Sequence, residues 1–193
     1  MNYKYPFLTH FKKCAIFYVS ATLLVPPAFT YFVYLKNRAK KYEIFSLFVS
    51  ADLKDKVGIK EFLKAYLPED LEINCYSCDI KDSTFATYYS AKGEISDIVI
   101  LQESFISQFD YVPYLEITSL TSFDLSGGYS RNEKIYGFVS TNEERSYLEE
   151  YINYSDENYY IFINKNSVHL NNIGPDTYST NQVEKVLKGI FKE

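Results

Sequence analysis

Between Lys13 and Lys36 the chain runs for 22 residues without a charged side chain, CAIFYVSATLLVPPAFTYFVYL. As a helix this segment reaches about 33 Å, enough to cross the hydrocarbon core of a bilayer. Its aromatics Phe29, Tyr31, Phe32 and Tyr34 gather at the C-terminal end, where a membrane–water interface would lie. Pro26-Pro27 implies a kink, which membrane helices tolerate. The competing reading is a cleaved signal peptide ending near Val19-Ser20-Ala21. Too short an apolar stretch precedes that site and the run continues past it, so an uncleaved anchor is favoured. The sequence then divides into a basic flank (1–13), an anchor helix (14–35), a polar stalk (36–41) and one domain (42–193).

Charge supports that division. Residues 1–41 carry seven Lys or Arg and no acid, so the remaining 13 bases face all 25 acids, a net of −12. Such a domain repels phosphate backbones, which argues against nucleic acid as a partner. The basic segments instead flank the hydrophobic run, where anionic headgroups of a lipid bilayer would be. Bases stand on both sides of the run, so charge alone leaves the orientation of the domain open.

The domain opens with a repeating order. Ile44–Val49 (IFSLFV) is apolar on both faces, as in a buried parallel strand. A helix is expected over 54–67, with Ile59, Phe62, Leu63 and Tyr66 on one face and Pro68 as its stop. A second strand is expected over 71–75. Asp82-Ser83 caps a helix that ends at Gly93. A third strand, DIVIL, follows at 97–101. Strand–helix–strand–helix–strand implies right-handed crossovers and a parallel sheet.

Farther on, a short helix is expected over 105–109, an extended piece over 111–115 and a glycine-bearing loop over 122–130. A strand is expected at 135–139, and a helix opened by the capping-box pattern Thr141-x-x-Glu144 and running through Tyr151. A strand over 159–164, a loop over 171–180 and an amphipathic C-terminal helix complete the chain.

Three segments resemble the extracellular solute-binding proteins of bacterial ABC transporters, the two-lobed, sugar-binding class. Ser96-Asp97-Ile98-Val99-Ile100-Leu101-Gln102-Glu103-Ser104-Phe105 is similar to that family's third strand and the polar loop behind it. Lys134-Ile135-Tyr136-Gly137-Phe138 is similar to its tyrosine-glycine strand. YYIFINKNSVHL (159–170), followed by 182–191, resembles a later strand and closing helix.

The resemblance implies a three-layer α/β lobe with a mainly parallel sheet, placed outside the cell membrane. It implies a small solute such as a sugar as ligand and an ABC permease as partner. It departs in one respect: only about 18 residues separate Val139 from the next strand, where a second lobe would be expected. One lobe cannot close on a ligand as two do. Two roles follow, a membrane-anchored solute-binding or transport-accessory module, or a single lobe that docks on a permease or another surface protein.

Ligands of such sheets meet the loops beyond the carboxyl ends of the strands. That rule nominates Ser50, Asp52, Asp79, Gln102, Glu103 and Ser104, with Tyr136 as a ring for a sugar face. Capping and solvation of loops is the plainer role for the first six, and sheet packing for Tyr136.

No catalytic residue, metal or cofactor is expected. The chain lacks G-x-x-x-x-G-K-[ST], G-x-G-x-x-G and H-E-x-x-H. His169 is the domain's only histidine, and its closeness in sequence to Ser167 implies no triad. Cys75-x-x-Cys78 falls at a strand end rather than a helix start, so it lacks the setting of a redox motif, and zinc would need more ligands. A local disulfide stays open.

Overall fold

The computed structural model describes residues 43–107, 114–117, 123, 125–140, 147–170 and 181–191, with Thr30 before them. The chain divides into two compact units, Met1–Lys41 and Tyr42–Glu193, and the fold described here is that of the second. Apart from Thr30, the anchor expected at 14–35, its flank and its stalk lie outside the described residues. No helix among the described residues is long and apolar enough to cross a membrane.

The three apolar runs pair side by side in one direction. β1 (Ile44–Val49) lies between β3 (Glu72–Ser77) and β4 (Ile98–Gln102), parallel to both, with Leu47 level with Cys75 and Ile98. From β4 onward the sheet changes character. β8 (Tyr159–Ile163) runs antiparallel to β4, β6 (Lys134–Val139) antiparallel to β8, and β5 (Tyr129–Arg131) antiparallel to β6.

The full order is β3-β1-β4-β8-β6-β5. The domain is therefore α/β with a mixed sheet, parallel in one half, where the sequence implied a mainly parallel one. The cause lies in the 140–158 connection. β6 ends level with the carboxyl end of β4, and β8 starts at that same edge, with Tyr159 opposite Gln102. Without a crossover to carry the chain back, β8 can only return antiparallel.

Alternation along the strands sorts side chains into two cores. Phe45, Leu47, Val49, Ile73, Ile100 and Ile161 face one layer, built from α1 (Lys56–Lys64) and α4 (Gln182–Ile190). Phe48, Val99, Leu101 and Phe162 face the other, where Phe85 and Tyr89 each meet Phe105 edge to face. That second layer holds α2 (Phe85–Tyr88), a π-helical turn over Tyr89–Gly93, and α3 (Glu103–Ile106). Helices on both faces explain why β1, β4 and β8 read as unbroken apolar runs. The three layers expected from the sequence are present.

Several boundaries differ from the sequence reading. α1 is capped by Asp55, whose Oδ1 accepts from the N–H of Val57 and Gly58, and it ends at Lys64, before Pro68. The helix expected over 105–109 sits instead at Glu103–Ile106. The expected loop over 122–130 ends in β5. Tyr114 makes only a single bridge, to Asn164.

Around 147–150 the chain is 3₁₀, not the α-helix expected there, and 141–146 and 171–180 lie outside the described residues. A small two-stranded sheet pairs β2 (Asp52–Leu53) with β7 (Ile152–Asn153), a pairing not expected from the sequence. Asn132 and Glu133 join β5 to β6 with φ of 51° and 65°, the left-handed pair that a tight hairpin turn demands.

Candidate functional site

The carboxyl edge of the parallel half is a polar seam. Ser50, fully buried after β1, accepts from the Gln102 N–H through Oγ at 2.7 Å and so ties β1 to β4. The Gln102 side chain, 3 % exposed, accepts from the Tyr159 hydroxyl at 3.3 Å and donates to Ser155 Oγ at 3.3 Å. Tyr159 and Ser155 close the triangle at 3.1 Å. Buried polar groups require such partners. Glu103 Oε2 accepts from the Asn158 side chain at 2.8 Å, and the Ser104 N–H donates to Glu157 at 3.3 Å.

On this seam lies a groove of about 630 Å³, lined by Lys54, Glu149, Glu150, Tyr154, Ser155, Asp156, Glu157 and Asn158. That is the size of a small-molecule site, roughly 300–1,000 Å³. Its walls come from the turn after β2 and from the 149–158 segment, and the β2–β7 pairing holds these together. Lys54 Nζ donates to the Glu149 carbonyl at 2.9 Å. Tyr154 bonds to Ser140, and burial pushes its phenol well above the ordinary range, so it stays a neutral hydroxyl. Hydrogen bonds from Ser104 and Gln102 hold the Glu157 carboxyl below its ordinary pKa. The groove therefore offers hydroxyls, an amide and four carboxylates against one ammonium. It suits a polar ligand that is neutral or positively charged and disfavours an anion.

None of the seven residues nominated from sequence lines the groove. Gln102, Glu103 and Ser104 stand one hydrogen bond behind it, bracing Ser155, Asn158 and Glu157. Ser50 braces Gln102 in turn. Asp52 and Asp79 share the edge but gather around Cys78, whose thiol their charges help to raise after burial and Asp82. Asp79 closes its own turn by accepting from the Lys81 N–H.

Tyr136 is elsewhere. It precedes Gly137, which is level with Phe162 and, through it, with Val99, so it lies near the opposite edge and two strands over. It packs on the second core. The lining residues themselves went unnominated. Their signal was Tyr154-Ser155-Asp156-Glu157-Asn158, a polar run entering an apolar strand. Recognising it required knowing that β8 starts where β1, β3 and β4 end.

His169 is buried, with Nε2 3.0 Å from the Ile44 carbonyl and its ring against Phe45. Ser167 donates to Asp97 at 2.5 Å, not to His169. Asp97 also accepts from the Ser46 N–H and hydroxyl, so this cluster pins the start of β4 to β1. Cys75 and Cys78 are free thiols. Cys75 packs in the first core and Cys78 against the second, on opposite faces of the sheet, which separates them from disulfide geometry. Among the described residues no group of three or more His, Cys, Asp or Glu is placed to hold a metal.

Comparison with protein-family models, with curated proteins and with solved structures finds no match to this chain.

Proposed function

We propose that residues 42–193 form a single-lobed solute-binding or transport-accessory module, held at the outer face of a membrane by residues 14–35, with the carboxyl-edge groove as its ligand site. The observation that carries this reading is where the groove lies and what builds it. It sits at the strand ends where open α/β sheets receive ligands. Its outer wall comes from residues 149–158, part of the connection where the resemblance would insert a second lobe. That connection folds back through β7 onto β2, so the remaining lobe carries its own wall. The lining is polar and acidic, which fits a sugar, a polyol or a small amine held by hydrogen bonds. Transfer of such a solute to an ABC permease is the role the resemblance adds.

A ligand that binds the native state raises apparent stability as its concentration exceeds Kd. Thermal shift of the protein against sugars, polyols, amines and amino acids at millimolar concentration is expected to find a stabilising neutral or cationic solute and no stabilising dianion. Glu157→Gln is expected to reduce the shift. A panel without any stabilising compound would overturn the reading.

One observation favours the docking role instead. Phe62, Tyr66, Tyr147 and Tyr151 form an aromatic patch, in which Tyr66 and Tyr147 are 36 % and 39 % exposed. Tyr147→Ser would then abolish recovery of a permease from solubilised membrane and leave solute shifts intact.

A further inference from the structure

The lining of the carboxyl-edge groove has an order along the chain. Glu149 and Glu150 close the 3₁₀ segment before β7, Tyr154 follows β7, and Asp156 and Glu157 stand in the bend before β8. Two acidic pairs thus flank one aromatic ring. Four carboxylates line the groove, yet among the described residues no three of them converge as metal ligands would. The negative charge is spread along the groove and not focused on a point.

Both ends keep that charge. Hydrogen bonds from Ser104 and Gln102 hold Glu157 ionised, and Glu103 stands behind it, bonded to Asn158. At the other end Glu150 is joined by Asp55 and Glu61, whose charges, after burial, raise the Tyr151 phenol. One base reaches each end. Lys54 donates from Nζ to the Glu149 carbonyl at 2.9 Å, and the Lys81 charge acts on Glu157. Among the described residues each end therefore sets at least two carboxylates against one ammonium.

Hydrogen-bonding capacity is equally one-sided. The two side-chain nitrogen donors of the lining already donate within the protein, Lys54 to Glu149 and Asn158 to Glu103 at 2.8 Å. Carboxylates only accept, so a ligand must bring donors. An ammonium brings three N–H groups and no acceptor, whereas every sugar hydroxyl brings acceptor lone pairs as well. Between the acidic pairs, half-buried Tyr154 turns its hydroxyl to the buried Ser140 and tilts its ring on Tyr159 at 4.7 Å, so what it adds to the wall is ring surface.

We infer that the ligand of this groove is a linear diamine, with one ammonium at each acidic pair and its methylene chain along Tyr154. The inference rests on the groove being the ligand site. It narrows the ligand from polar solutes in general to one with a cation at both ends and an apolar middle.

The test is thermal shift of the full chain in non-ionic detergent with putrescine, butylamine, glucose and magnesium chloride, each at millimolar concentration. Putrescine is expected to stabilise the protein. Butylamine has the same carbon chain and one ammonium fewer, and is expected to bind about fivefold or more weakly, the effect of losing one close charge pair. Magnesium carries the charge of putrescine at a single point and is expected to give no shift. Glu150→Gln and Asp156→Asn, one from each end, are each expected to weaken putrescine about fivefold. Glu69→Gln, an equal loss of charge in the groove between α1 and β3, is expected to leave it unchanged. Butylamine or magnesium matching putrescine would overturn the inference, as would Glu69→Gln acting like the other two. Stabilisation by glucose and by neither amine would overturn it and keep the groove as a ligand site, whereas no shift from any compound would take down both. The ligand-free midpoint of each variant reports whether it is folded, and the ranking of compounds on the unaltered protein decides without the variants.

Discussion

Gly137 shows how one position can be read from sequence in kind but not in detail. A glycine inside an apolar strand signals a bulge or a close approach, and both occur. The β5–β6 register shifts beside it, leaving Tyr136 as the extra residue. A Cβ on Gly137 would come within 2.9 Å of the Phe162 ring and 3.2 Å of the Tyr160 Cβ. Gly137→Ala is expected to destabilise the domain by about 1–3 kcal/mol, the usual cost of overpacking, as a lower midpoint in urea denaturation. What the sequence could not show is that the bulge turns Tyr136 into the second core, far from the carboxyl edge.

The cysteines make the same point. Their spacing left a disulfide open, and only the strand's alternation separates them by face. Burial pushes the Cys75 thiol up to about 11, and Cys78, also raised, is partly exposed. Since the thiolate is the reactive species, iodoacetamide at neutral pH is expected to label Cys78 first and Cys75 only on unfolding. Mass spectrometry of the two peptides reads the order, and equal labelling of the native protein would contradict it.

Elements with strong local signals were the most legible. IFSLFV and DIVIL carried their strands because burial on both faces demands apolar residues throughout. The C-terminal stripe carried α4, whose first turn is capped by Asn181 accepting from the Glu184 N–H at 3.1 Å. α1 was legible through its buried face, Ile59 and Leu63, but its start depends on Asp55 rather than on hydrophobic periodicity. Asp55 accepts two first-turn N–H groups at 3.0 and 2.8 Å. Asp55→Ala is expected to cost about 0.5–2 kcal/mol, while Asp55→Ser should recover most of it, and a thermal melt of each variant separates the two.

The elements that were misread have weak local signals. Tyr147–Glu150 has helical composition but winds as a single 3₁₀ segment because the chain turns at once into β7. The β2–β7 pair is two residues long on each side, below what periodicity can register. Those short pieces are the ones that build the groove wall, which is why the candidate site was located only by edge and not by residue.

At the scale of the molecule, the shared direction of the first three strands followed from the chain alone, and the direction of β8 did not. Nothing within YYIFI records whether it runs with or against DIVIL. That is decided by where the chain re-enters the sheet, since β6 ends and β8 begins at the same carboxyl edge. The described residues of both cores nonetheless all lie within the second unit. Every strand of the six-stranded sheet, and the helices that cover its two faces, come from residues 43–191, and the described buried apolar residues divide between two clusters that lie within residues 45–190.

A unit with its own closed core should fold without the segment before it. Excised residues 42–193 are therefore expected to melt cooperatively, with a midpoint within about 2–4 °C of the full chain's in detergent, the shift that roughly 1 kcal/mol produces in a domain of this size. A fragment that melts much lower, or binds dyes for exposed apolar surface, would show that part of its core is supplied by residues 1–41. It would also undo the picture of a self-contained lobe on a tether.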